Sequence, residues 1–131
     1  MQIEFKPGFR FSVLDGMILA AALLLAILVF PYSPNYSVLV GFVVLHFFLF
    51  CNVVRMSRIP ELIWATVFLA LFSCQLKLSV PSFNTALALS SFVTAILVAI
   101  EIRRPSYHGI FWKTLNPKLP EWFAKNQKRG A

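Results

Sequence analysis

The chain has 131 residues, 59% of them hydrophobic and 13% charged, with a formal net charge of +7. A soluble domain carries about 25% charged and about 45–50% apolar residues, so this composition excludes an ordinary water-soluble fold and points to lipid as the solvent. The positive charge does not indicate nucleic acid, because it follows the loops of a membrane topology. Anionic headgroups are its expected partner, at about 1 kcal/mol for each nearby basic residue.

Residues 1–11, MQIEFKPGFRF, form a short amphipathic lead in which Phe5, Phe9 and Phe11 are interleaved with Lys6 and Arg10. That pattern suits a headgroup region. A first apolar span is expected over 12–30, with Asp15 in its first turn at the positive end of the helix dipole. The run is longer than the roughly 7–15 residues of a signal-peptide core and lacks a clear small-residue cleavage site, so it is read as a retained helix.

The segment FPYSPNYS is uncharged; Pro31 and Pro34 are expected to stop the helix, and Tyr32 and Tyr36 are interface aromatics. A second span is expected over 37–54. Its Phe42, Phe47, Phe48 and Phe50 occur around the helix, so they face both lipid and neighbouring helices. The turn RMSRIPE follows, with Pro60 suited to a first helical position and Glu61 to the helix dipole. A third span is expected over 61–78, with Trp64 near one interface and Lys77 snorkelling from the other. Pro81 breaks the chain, and a fourth span is expected over 83–102. Each run approaches the ~20 residues that cross a bilayer.

Eleven of the twelve Lys and Arg residues fall before span one, between spans two and three, or after span four. Cytoplasmic loops retain Lys and Arg, so the expectation is an all-α, up-down bundle of four transmembrane helices with both termini cytoplasmic. Residues 1–104 form the membrane domain and 105–131 a basic, aromatic cytoplasmic tail. The tail is too apolar for a disordered linker. Arg103, Arg104, Tyr107, Trp112, Lys113, Trp122 and Lys125 are its expected docking residues for a membrane surface or a partner. Pro120 and Glu121 could open a final short helix.

Small residues allow helices to approach closely in lipid, and three sets stand out: Gly16 with Ala20, Ala22 with Ala26, and Ser91 with Ala95 and Ala99. Cys51 and Cys74 differ in expected depth by roughly 12–15 Å. A disulfide needs Cα atoms within about 7 Å, so both are read as packing residues.

His46 is the ionisable residue expected near mid-membrane, at a depth close to Thr94 and about one turn from Ser90 and Ser91. An intramembrane histidine is a functional candidate: a proton-relay group, a haem ligand or a quinone contact. The structural alternative, which is favoured, is a neutral imidazole hydrogen-bonded to Thr94, Ser91 or a partner subunit. The other histidine, His108, lies in the tail, so bis-histidine haem ligation within the chain is not expected. No metal site is expected, and no cofactor beyond that haem or quinone option.

The chain has no G-x-S-x-G, H-E-x-x-H, Walker lysine loop or C-x-x-C motif, so an enzyme is not expected. Asp15, Glu61 and Glu101 fall near inner helix ends, where helix electrostatics and local charge balance account for them. The leading expectation is a non-catalytic accessory or assembly subunit of a larger membrane complex in a bacterial inner membrane. An oligomeric small-solute or proton transporter using His46 is the alternative, and a haem- or quinone-binding anchor the third.

Overall fold

The computed structural model describes residues 5–129, and over them the chain is all-helical. Four long helices are followed by two short ones: α1 (Val13–Val29), α2 (Pro34–Phe48), α3 (Arg58–Leu78), α4 (Phe83–Glu101), α5 (Trp112–Leu115) and α6 (Leu119–Arg129). Helix α2 runs on as a π-helical segment, Leu49–Val53. Three of the long helices are apolar and long enough to cross a membrane: α2 with its π segment at 20 residues, α3 at 21 and α4 at 19. Helix α1, at 17 residues, is a shorter apolar helix. Its rise of about 26 Å approaches the ~30 Å of a hydrocarbon core.

The helix ends follow from local chemistry. Ser12 and Asp15 form a reciprocal capping box at the start of α1: the Ser12 amide donates to Asp15 Oδ2 at 2.7 Å, and the Asp15 amide to Ser12 Oγ at 3.3 Å. Pro34 opens α2 instead of stopping α1, because Ser33 caps the helix and the missing proline N–H is one that the first turn leaves unpaired. Span two therefore begins three residues earlier than expected. Helix α3 likewise starts at Arg58, which puts Pro60 in the third helical position. That position is still within the first turn, where a proline costs no hydrogen bond.

The long helices form two antiparallel hairpins. In the first, Ser37 Oγ donates to the Ala26 carbonyl of α1 at 2.7 Å, and Ala22 and Ala26 lie on the half-buried side of that helix. In the second, α3 buries Pro60, Trp64, Phe68 and Phe72 against Ala86, Ser90, Thr94, Leu97 and Glu101 of α4. These rows repeat at three- and four-residue spacing, as ridge-into-groove packing requires. The expected contact stripe Ser91, Ala95, Ala99 is exposed instead, and so is Ala20. In α4 the bulky rings of α3 need the depth that Ala86 and Ser90 leave on the opposite side.

Stacked rings join the hairpins. Trp64 lies between His46 at 4.9 Å and Phe68 at 5.0 Å, both nearly parallel to it. Phe42 and Phe50 of α2 reach the same indole at 6.3 and 5.4 Å, and Phe68 continues through Phe72 to Phe83. Each such pair adds about 0.5–1.5 kcal/mol beyond its buried area.

Candidate functional site

The mid-bundle polar residues do not converge on His46. Its Nδ1 lies 2.8 Å from the Phe42 carbonyl of its own helix, not on Thr94 or Ser91. A carbonyl only accepts, so Nδ1 carries the proton. The ring also packs against Phe42 at 4.1 Å. Thr94 Oγ1 donates to the Ser90 carbonyl at 3.0 Å, and the buried Trp64 indole N–H donates to that same oxygen at 3.2 Å. Trp64 is thus packed inside the bundle, between α2 and α4. Ser91 is exposed, on the far side of α4 from this group. The physical reason is local: a histidine, serine or threonine in a helix reaches the carbonyl one turn back more easily than a neighbouring helix.

The carboxylates of Asp15, Glu61 and Glu101 go to three different partners. Asp15 is held in its capping box. Glu61 Oε1 accepts from Cys51 Sγ at 3.7 Å. Glu101 is buried, and its Oε2 lies 3.3 Å from Arg104 Nη1, which also donates to Ser57 Oγ at 3.0 Å. Arg104 therefore ties the end of α4 to the turn before α3. Among the described residues, no group of three His, Cys, Asp or Glu side chains could hold a metal ion.

A third place draws together residues that are far apart in the chain. The lead, the end of α2 and the start of the tail meet at one end of the bundle. The Gly8 amide donates to the His108 carbonyl at 2.7 Å, the Arg10 amide to Asn52 O at 3.1 Å and the Ile110 amide to Val53 O at 2.8 Å. Asn52 and Val53 belong to the π segment, so the carbonyls at this helix end find partners in two other parts of the chain. Arg55, with φ of 53°, turns the chain after it, and its guanidinium donates to the Lys6 carbonyl. Burial, and then the charge of Arg10, push the Arg55 pKa below the usual arginine value.

Tyr107, expected among the docking residues, is 2% exposed and belongs to this junction. Its hydroxyl donates to Ile110 O at 2.8 Å, and burial followed by the nearby Glu101 raises its pKa. Asn116 Nδ2 closes the turn by donating to Pro105 O at 2.7 Å and Tyr107 O at 3.1 Å. Leu119, the first residue of α6, is 1% exposed. The tail is therefore folded onto its own chain through this side.

Its other side is open. Phe111, Leu115 and Trp122 are exposed, as are Lys113, Lys118, Lys125, Lys128 and Arg129. Trp112 is half-buried, with its ring edge-on to Phe5 at 5.9 Å and Lys113 Nζ at 5.9 Å from its face. Arg103 is exposed. Gly130 and Ala131 of the tail, and Met1–Glu4 of the lead, lie outside the described residues.

Two hollows flank these elements. A groove of about 700 Å³ opens between α2 and α3, lined by Phe47, Phe50, Trp64 and Phe68 with Arg58 and Glu61 at one end. A cavity of about 270 Å³ lies at the junction, between the lead, Arg55 and the tail. No family model, curated protein or solved structure matches this chain.

Proposed function

We propose that the chain is a four-span integral membrane protein of a bacterial inner membrane, with both termini cytoplasmic. In this reading it serves a larger membrane complex as a non-catalytic accessory or assembly subunit. The tail is its dock.

The observation that carries the reading is the two-sided tail. Tyr107 and Leu119 anchor one side, while Phe111 is 71% exposed and Leu115 45% exposed beside a run of basic residues. An apolar and cationic surface held on a folded platform suits an acidic, partly apolar partner surface better than a free linker does, because its ordering cost is already met within the chain. Helix α1 adds to this, since it buries no residue completely and leaves most of its apolar surface to lipid or a neighbour.

The transport reading draws less support, because the groove between α2 and α3 is walled by aromatic rings and not by the polar side chains that a solute path needs. Replacing Phe111 and Leu115 by Ser tests the proposal. Partner retention in mild detergent is expected to fall while insertion and helicity stay unchanged; undiminished retention would count against the tail as the dock.

A further inference from the structure

The cavity at the junction has a chemistry of its own. The lead contributes Phe5 and Lys6, the turn after α2 contributes Arg55, and the tail contributes Ser106, His108 and Trp122. Among the described residues no carboxylate lines it. Its 270 Å³ is close to the smaller ligand sites, of about 300 Å³, and has room for a glycerophosphate group.

We propose that this cavity binds the phosphate of one anionic phospholipid headgroup. Arg55 presents a planar fork of donors, one of which goes to the Lys6 carbonyl, leaving others for a phosphate. The His108 ring is oriented by the contact of Nδ1 with Ser106 O at 2.9 Å. That contact fixes His108 as part of the cavity wall, and the donors available to a phosphate are those of Arg55. Arg10, close enough to perturb Arg55, adds to the positive potential. The aromatic part of the lining favours a lipid over free phosphate, because such rings suit the glycerol and upper acyl region of an interface. A bound headgroup would contact the lead, the turn after α2 and the tail at once, and so strengthen the junction. The site stands on its own chemistry; only the assignment to the cytoplasmic leaflet rests on the proposed topology.

The test places the full chain in nanodiscs of phosphatidylcholine doped with phosphatidylglycerol, and counts retained lipid by native mass spectrometry. Saturable retention of one anionic lipid per chain is expected. It should weaken by about tenfold in Arg55→Gln, the loss of one charge-assisted hydrogen bond. Ser106→Phe, which fills the cavity at constant charge, should lose it, whereas Arg58→Gln, outside the cavity, should retain it. Helicity measured on each variant separates loss of the site from loss of the fold. Retention that follows net charge alone, weakening in Arg58→Gln and persisting in Ser106→Phe, would overturn the proposal. Binding of glycerol 3-phosphate in detergent without lipid retention would overturn the lipid assignment. Neither readout involves a protein partner, so failure here is distinct from failure of the accessory-subunit reading.

Discussion

Gly109 lies so close to Val54 that a Cβ at position 109 would overlap the Val54 carbonyl oxygen and come 2.7 Å from the Tyr107 hydroxyl. The contact is backbone against backbone, and neither side has a flexible group that can yield. Gly109→Ala is therefore expected to weaken tail docking by about 1–3 kcal/mol, the range for overpacking a close contact. Hydrogen exchange checks this: the Ile110 amide should exchange faster in the variant, while amides in α3 and α4 keep their protection.

Tyr107 adds a pH dependence to the same junction. Its pKa is raised in the folded chain, so the docked state favours the neutral phenol. Docking is then fully present below the ordinary tyrosine value of about 10, and is lost as pH rises from there through the folded value. Ionisation also removes the proton donated to Ile110 O. Proteolytic cleavage after Lys113, followed against pH with a pH-tolerant protease, should increase only in that alkaline window. Tyr107→Phe should cost about 0.5–1.5 kcal/mol of docking at neutral pH and remove this titration.

Ser90 Oγ is buried without a hydrogen-bond partner among the described residues. Removing an unsatisfied buried hydroxyl relieves a cost of about 1–3 kcal/mol, partly offset by the small void left behind. Ser90→Ala is expected to match or exceed the parent in resistance to denaturation in detergent. A loss of more than about 1 kcal/mol would mean that the hydroxyl has a partner, such as a bound water.

His46 is held by its own helix and by stacked rings. His46→Phe should therefore preserve folding and partner association, whereas His46→Ala opens a gap beside Trp64 and should cost about 2–4 kcal/mol. Tryptophan emission reports the packing of that indole. Complete loss of function in a well-folded His46→Phe would restore a chemical role to the imidazole.

Much of the helical framework was legible in the residues. Prolines, Ser12 with Asp15 and the apolar runs bound the long helices to within a few residues. The packed faces were not legible, because in lipid both buried and exposed sides of a helix are apolar. Hydropathy thus gave no reason to prefer Ser90 over Ser91. The junction was hidden for a different reason: its bonds come from the backbone amides of Gly8, Arg10 and Ile110, which no side-chain pattern encodes. Tyr107 looked like a surface aromatic for the same reason, since its carbonyl partner at Ile110 appears only once the tail turns back. The π segment left no signal beyond the Arg55 turn that ends it.

Topology is tested with single cysteines in a background lacking Cys51 and Cys74. Asn35→Cys is expected to react with an impermeant maleimide from outside the cell, and Lys128→Cys only after permeabilisation.

The most direct measurement is extraction of the natively expressed protein in mild detergent, with the mass and composition of its peak determined. The accessory-subunit account predicts a stoichiometric, larger membrane protein in that peak, lost when Phe111 and Leu115 are both replaced by Ser. A peak containing only copies of this chain, unchanged by the double replacement, would contradict it.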